Sequence, residues 1–240
     1  MESTQDYSTL LILLGGLSGI ALYAEAVRVG LRDKSYAIPV WVIGLNFSWA
    51  VIHSLFAGKI EGASLPVLIV AVRIALDIVV LYTWFKFGGR HFPENPGERW
   101  FVPWSLLVIV VAFILHSTVI MQFGISPGLA YTAVMQNFVM SLLFIAMLAR
   151  RKRRKAQSMI IAVAKLTGSL SMTTLCGVIG HEALDGPNTL LLVIGSLSCL
   201  FDLIYIALLS QAKPYEKREK GQATIVQQNM TGGEFDAFRS

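Results

Sequence analysis

Apolar residues along the chain are gathered into seven long blocks, which short polar segments separate. A helix needs about 20 apolar residues to cross the hydrocarbon core of a bilayer. Lipid offers no partner to the backbone, so each block predicts a transmembrane helix. The pattern therefore predicts an all-α polytopic membrane protein, a bundle of seven transmembrane helices. The predicted spans are Leu10–Val29, Ala37–Ala57, Pro66–Phe87, Phe101–Phe123, Gly128–Leu148, Met159–Ile179 and Thr189–Leu209.

Composition supports this interpretation. Of the 240 residues, 55% are hydrophobic and 15% are charged, whereas soluble domains carry about 45–50% apolar and about 25% charged residues. A soluble enzyme and a disordered chain are thereby excluded. The predicted organisation is a seven-helix transmembrane domain over residues 1–211, followed by a polar cytosolic tail, residues 212–240, that we predict to be disordered. The first block lacks the basic start of a signal peptide and is predicted to remain as a span.

Basic residues are distributed very unevenly between the two sides of the predicted bundle. Seventeen of the 20 Lys and Arg residues lie in the segments that alternate helices place on one side. The positive-inside rule then predicts an outer or lumenal N-terminus and a cytosolic C-terminus. We interpret the densest cluster, Arg150 to Lys155, as a contact with anionic lipid headgroups rather than with nucleic acid. Membrane lipid is thus a predicted partner, and nucleic acid is not.

Ionisable side chains inside membrane spans are costly and usually functional. The spans contain Glu25, Arg73, Asp77, Lys165, Asp202, His53 and His116. Arg73 and Asp77 are four residues apart, which predicts an ion pair within one helix. Glu25 precedes Arg28 by three residues and is the most readily explained as structural. Lys165 could neutralise a carboxylate or extend towards the cytosol.

Asp202 differs because its own helix offers no basic partner within two turns. We therefore expect an unpaired carboxyl group. In a low dielectric such a group can remain protonated near neutrality, which makes it a candidate proton donor. The two cysteines, Cys176 and Cys199, lie in spans and form neither a disulfide framework nor a zinc pattern. We expect no metal and no cofactor.

Ten short stretches follow one another along the chain in an order that is more informative than any of them alone. They are SYAIP (35–39), NFSW (46–49), DIVVLYT (77–83), KFG (86–88), AY (130–131), QN (136–137), MSLLFI (140–145), QS (157–158), KLTGSL (165–170) and FDLIY (201–205). Together they resemble the PaxB-like family of small integral-membrane terpene cyclases, known from fungal meroterpenoid and indole-diterpene pathways and with bacterial relatives. The resemblance covers roughly residues 36–205.

The resemblance implies a reaction and a set of site residues. Such cyclases protonate a terminal epoxide or alkene of a prenylated substrate, and the resulting carbocation cyclises through the polyene without metal or redox cofactor. The implied catalytic residues are Asp202 and, in support, Asp77. The substrate would be a lipophilic prenylated small molecule, and the membrane would be the endoplasmic reticulum if the source is fungal or the plasma membrane if it is bacterial. The implied residues of the substrate cavity, some of which would stabilise cations, are Asn46, Trp49, His53, Tyr82, Tyr131, Asn137, Lys165 and Tyr205.

The chain departs from the family pattern at Ala50, where the family has a glutamate thought to act with the aspartate of span seven. Three alternatives follow. Asp202 acts alone or with Asp77; His53 or Glu25 replaces the missing acid; or the chemistry has changed or been lost.

Two other functions compete with this interpretation. The chain could cyclise a prenyl diphosphate held by basic groups such as Lys86, Arg90 and Lys165, although it lacks the aspartate-rich magnesium motif of soluble cyclases. It could also be a seven-helix transporter or sensor. Span seven carries no Schiff-base lysine, and the two halves show no similar three-helix repeats, which makes this second alternative the weaker one.

Overall fold

The structure, a computed structural model, describes residues 2–60, 65–92, 97–180 and 184–214, with side chains described for 7–56, 68–92, 97–180 and 184–214. Of the predicted tail, residues 212–240, the part from residue 215 onward lies outside the described residues. Within these residues the chain forms seven α-helices, as the apolar blocks predicted. They are α1 (Glu2–Arg32), α2 (Val40–Ile60), α3 (Leu65–Phe87), α4 (Phe101–Phe123), α5 (Ile125–Arg151), α6 (Met159–Thr173) and α7 (Thr189–Gln211).

Six of the described helices are long and apolar enough to cross a membrane, and Val40–Phe56 of α2 adds a shorter apolar helix. The sixth span ends differently from the rest, because α6 passes into a π-helical turn, Thr174–Ile179, before the chain leaves the bundle. The prediction of an all-α membrane bundle is confirmed. Boundaries differ from the predicted spans mainly where helices α1 and α5 extend beyond their apolar blocks.

The helices form a closed ring. Each helix packs against its two neighbours in the order α1, α3, α2, α4, α5, α7, α6 and back to α1, and α2 also reaches α5 across the interior. The α4–α5 corner is unusually tight. Gly124 connects the two helices with a φ of +88°, and a Cβ at Gly128 would lie 2.8 Å from the Cα of Ile120. Glycine is needed at both positions, for conformation at the first and for space at the second.

The two ends of the bundle are packed differently. The main hydrophobic core lies at the end that carries the α1–α2 and α5–α6 loops, and its largest fully buried members include Tyr23, Ile38, Phe144, Ile161 and Leu209. The opposite end has a much smaller core around Val134, Leu175, Cys176 and Leu191. A cavity occupies the interior between them.

Arg151 fixes the tightly packed end. Its guanidinium donates hydrogen bonds to the carbonyl oxygens of Tyr36 at 2.8 Å and Lys155 at 2.6 Å, and it lies over the Tyr36 ring. Asp33 accepts a hydrogen bond from the amide of Ala156. The basic segment Arg150–Lys155 was predicted to contact lipid headgroups. In the structure, this region also joins the α5–α6 loop to the α1–α2 loop.

Candidate active site

A cavity of about 320 Å³ lies inside the ring of helices. Its walls come from α1, α2, α3, α5, α6 and the π-helical turn. Most of the lining is apolar, with a few polar side chains facing the same space. The polar and aromatic lining residues are Ser18, Tyr23, Asn46, Trp49, His53, Arg73, Ser126, Gln136, Asn137 and Lys165.

Helix α2 contributes one continuous face to the cavity. Asn46, Trp49, Ala50 and His53 follow one another at the three- and four-residue spacing that places side chains on the same side of a helix. The indole of Trp49 donates a hydrogen bond to the carbonyl oxygen of Leu129 at 3.0 Å. The same indole stacks on the His53 ring, with 4.8 Å between centroids. The wall at Ala50 is therefore part of the cavity, and the stacked pair fixes the aromatic surface beside it.

Asp202 lies behind the cavity wall and is paired. Its Oδ1 is 2.9 Å from Nζ of Lys165, and its Oδ2 accepts a hydrogen bond from the hydroxyl of Ser169. Lys165 also donates to Ser141 at 2.7 Å and to the amide oxygen of Asn137 at 3.0 Å. The expectation of an unpaired carboxyl group at Asp202 is wrong, because the partner comes from α6 rather than from α7.

Lys165, not Asp202, is the member of this ion pair that lines the cavity. Both side chains are almost completely buried. Asn137 closes the arrangement by donating a hydrogen bond from its amide to Ser169 at 2.8 Å while it accepts from Lys165. The buried polar cluster thus consists of Lys165, Asp202, Asn137, Ser141 and Ser169. Within it, the ammonium group of Lys165 makes several short contacts.

Arg73 and Asp77 form the ion pair that the spacing predicted, but a loose one. Nε of Arg73 is 3.7 Å from Oδ2 of Asp77. Arg73 lines the cavity, whereas Asp77 is buried behind it and is absent from the described lining. One guanidinium nitrogen donates to Oδ1 of Asn46 at 2.9 Å, and the guanidinium carbon lies 3.6 Å from the centre of the Tyr23 ring.

Three tyrosines that the sequence placed in the cavity lie elsewhere in the structure. Tyr82 is 51% exposed on the outer face of α3, where its hydroxyl accepts from Lys86. Tyr131 packs on Phe123, and its hydroxyl accepts from Asn188. Tyr205 is buried in the main core, where it donates to Gln157. None of these three belongs to the described lining.

Of the other predicted candidates, some line the cavity and the rest make contacts that stabilise the fold. Asn46, Trp49, His53, Asn137 and Lys165 line the cavity. Glu25 forms a short ion pair with Arg28, which agrees with its structural interpretation and places it outside the described lining. His116, on α4, contacts the Ser48 hydroxyl at 3.0 Å and helps to join α4 to α2.

Sequence reasoning missed five of the ten polar and aromatic lining residues, namely Ser18, Tyr23, Arg73, Ser126 and Gln136. Arg73 was interpreted only as the partner of Asp77, and neither Tyr23 nor Gln136 was a candidate. Ile69, Val70 and Arg73 share a face of α3 that borders the cavity. A charged residue inside an apolar span was a signal that Arg73 could be functional. The sequence of one helix, however, does not show which way its side chain points.

The lining has the properties of a site for an apolar molecule with a polar end. Among the described residues it contains two cationic side chains, Arg73 and Lys165, and no carboxylate. Lys86 and Arg90, the other basic groups considered for a diphosphate, are outside this lining. The described residues also contain no group of His, Cys, Asp and Glu arranged to hold a metal ion.

A family model described as "Pyr4-like transmembrane terpene cyclases" matches residues 2–215. Three curated fungal proteins are similar to parts of the chain. The Pyr4-family terpene cyclase mfmH of Annulohypoxylon moriforme is 30% identical over 97 residues, 40% of this chain and 39% of that protein. Terpene cyclase pyr4 of Aspergillus fumigatus and terpene cyclase dpmaB of Metarhizium anisopliae are each 23% identical over 159 residues, 66% of this chain and 65% of theirs. The chain thus spans between 39% and 65% of the lengths of these relatives. No solved structure matches it.

Proposed function

The chain belongs to the Pyr4-like transmembrane terpene cyclases, and from this we propose that it cyclises a lipophilic prenylated substrate inside the bundle. The observation that carries the proposal is the apolar cavity, which lies within the ring of membrane helices and has polar groups at a few positions. Its volume of about 320 Å³ falls at the lower end of the range of about 300–1,000 Å³ that is usual for small-molecule sites.

The cavity suits carbocation chemistry for two physical reasons. Apolar walls limit the water that would capture a cation before the rings close. The stacked Trp49 and His53 rings present an aromatic surface on one wall, and an aromatic face attracts a passing positive charge. A substrate that partitions into the bilayer would also be concentrated around the bundle.

We assign the initiating proton to the Lys165–Asp202 pair, with Asp202 as its essential anion. Lys165 borders the cavity and carries the proton next to the Asp202 carboxylate. Transfer of this proton to an epoxide oxygen breaks a C–O bond, and the neighbouring alkene supplies the electron pair for the first ring closure. With an alkene instead of an epoxide, the proton adds to carbon. Loss of a C–H proton from the final cation to the pair restores its starting state.

Asp77 supports this reaction only indirectly in our proposal, as the counter-charge of Arg73 behind the cavity wall. Of the groups considered as substitutes for the family glutamate, His53 lines the cavity beside Ala50, whereas Glu25 is engaged by Arg28. We therefore favour His53 over Glu25 as a second proton-transfer group. Family membership argues against the transporter or sensor alternative.

For the membrane orientation we propose the one that the distribution of basic residues predicts. With an outer or lumenal N-terminus and a cytosolic C-terminus, the cavity lies in the outer half of the bundle and the tightly packed core in the cytosolic half. We propose the endoplasmic reticulum as its location in a fungal host and the plasma membrane in a bacterial one.

Substitution of Asp202 by Asn tests the proposed proton source. Membranes with equal amounts of protein would be given a panel of epoxidised prenylated precursors, and products would be identified by mass spectrometry. We expect at least a 100-fold loss of cyclised product, because general acid catalysis contributes about 10²–10⁴-fold and loss of the carboxylate removes the proposed essential anion. Asp185→Asn, at an exposed loop position with a φ of +54° that Asn also tolerates, is the matched control.

Because Asp202→Asn leaves Lys165 buried without its carboxylate, the protein could fail to fold. The double variant Lys165→Met/Asp202→Asn removes both charges and keeps the test decisive. Undiminished cyclisation by either variant in its folded form would overturn the assignment of the proton to this pair.

A further inference from the structure

The positive charge of Arg73 is poorly compensated for a side chain inside a membrane bundle. Its ion pair with Asp77 spans 3.7 Å, and among the described residues neither Nε of Arg73 nor either carboxylate oxygen of Asp77 has a hydrogen-bond partner. A guanidinium carries five N–H donors, of which the donation to Asn46 uses one. Nε faces Asp77 and the Tyr23 side chain also interacts with the guanidinium, but the Arg73 side chain is 21% exposed and still presents donors to the cavity.

The surroundings hold the guanidinium at the cavity wall. Arg73 Nη1 lies where a side chain on Gly19 would be, since a Cβ there would approach it to 2.7 Å. The Tyr23 ring supports the guanidinium from one face, and Asn46 orients it from α2. Three helices, α1, α2 and α3, thus fix its position. Such preorganisation reduces the entropy lost when a ligand binds.

We propose that Arg73 binds the oxyanion head of the substrate, a carboxylate or an enolate attached to the isoprenoid chain, and thereby sets which end of the chain faces Lys165. The inference rests on the proposed function for the isoprenoid part of the ligand. The planar fork of a guanidinium matches the two oxygens of a carboxylate. The polar head would lie against α3, and the apolar chain would extend along the Trp49 wall.

A singly charged head fits better than a diphosphate. Lys165, the other cation in the described lining, is already engaged by Asp202, Ser141 and Asn137. Its charge is therefore not available to a second anion without breaking these contacts. Arg73 alone offers one positive charge, part of which Asp77 offsets at 3.7 Å.

The test measures binding rather than turnover, so that it can fail independently of the proposed function. The probe is a benzoic acid carrying a saturated branched isoprenoid chain, which cannot cyclise, and its methyl ester is the uncharged comparison. Farnesyl diphosphate is the third probe, and it tests whether the site binds a diphosphate instead of a singly charged head. Affinity would be measured with purified protein in lipid nanodiscs of uncharged lipid, by quenching of tryptophan fluorescence, since Trp49 lines the cavity.

We expect the protein to bind the acid at least tenfold more tightly than the ester. Arg73→Gln should weaken binding of the acid by about 10- to 100-fold, the range for a hydrogen bond to a charged group, and change binding of the ester less than twofold. Lys86→Gln, an exposed position on the same helix, should leave both affinities unchanged. Asp77→Asn should strengthen binding of the acid severalfold, because it removes the competing anion.

Since Arg73→Gln leaves Asp77 without its partner, the double variant Arg73→Gln/Asp77→Asn provides the same test in a charge-balanced protein. Equal affinity of the unaltered protein for acid and ester would overturn the inference, as would an equal loss of both in the folded variants. Binding of the diphosphate more tightly than the acid, with dependence on Arg73 and Lys165, would overturn it in favour of a diphosphate site. If the epoxidised precursors are cyclised while the acid and ester probes bind equally, this inference fails and the proposed function stands.

Discussion

Among the described residues, two ion pairs lie within the apolar helices beside the cavity, and only one of them was predicted from the sequence. Lys165 and Asp202 come from adjacent helices, approach to 2.9 Å and share the hydroxyl and amide groups of α5 and α6. Arg73 and Asp77 come from one helix and remain 3.7 Å apart. In each pair the cation lines the cavity and the acid lies behind it.

This difference separates two uses of buried charge. An ion pair whose donors and acceptors already have short partners has little hydrogen-bonding capacity left for a ligand. A loose pair leaves donors directed at other partners, which suits recognition of a ligand. Burial of charge is costly in either case, so the protein retains both pairs at some expense in stability. We infer that one pair serves the chemistry and the other serves binding.

Breaking the tight pair should have the largest effect. Lys165→Met leaves the Asp202 carboxylate buried without its cation, and loss of one member of a buried ion pair costs about 3–5 kcal/mol. Arg73→Met should cost less than half as much, because its contacts are longer and its side chain is 21% exposed. Thermal unfolding in detergent, followed by circular dichroism, measures both.

The double variant Lys165→Met/Asp202→Leu serves as the control for that comparison. It should recover most of the stability lost in Lys165→Met, since neither charge remains. Equal destabilisation by Lys165→Met and Arg73→Met would show that the two pairs do not differ in the way their geometry indicates.

The asparagines beside the two cations offer a more moderate comparison. Asn137 accepts from Lys165 and donates to Ser169 on another helix, whereas Asn46 accepts from Arg73 and donates to the carbonyl oxygen of Val42 in its own helix. Asn137→Leu, which breaks contacts between helices, should therefore lower the free energy of unfolding by about 3 kcal/mol, and Asn46→Leu by about 1.5 kcal/mol, the two ends of the range for lost hydrogen bonds to charged groups. Chemical denaturation of both variants gives the difference. A larger loss at Asn46 would contradict the proposed order.

The helices could be predicted because the apolar length that a membrane requires is written directly in the sequence. All seven blocks became helices, and the ion pair between Arg73 and Asp77 followed from a spacing of four residues. Contacts within one helix are local, so one sequence suffices to infer them.

The contacts between helices could not be predicted in the same way. Asp202 looked unpaired because its cation is 37 residues away on α6. Tyr82 was misplaced because Asp77, Val80 and Thr83 define the buried face of α3, and Tyr82 points away from it. Which face of a helix turns inward depends on its neighbours, and the order of helices around the ring is not encoded in any single span.

The smallest expected effect concerns the space that holds Arg73. Gly19→Ala would place a methyl group 2.7 Å from Nη1 and displace the guanidinium, whereas Gly15→Ala, on the same helix and also in the lining, would meet the Cβ of Ser171 at an ordinary 3.6 Å. We expect Gly19→Ala to weaken binding of the isoprenoid benzoic acid about three- to fivefold, with the methyl ester unaffected. Gly15→Ala should change neither affinity. If both alanines weakened the acid and the ester alike, the effect would come from the lost volume of the cavity, and the loose pair would have no part in recognition.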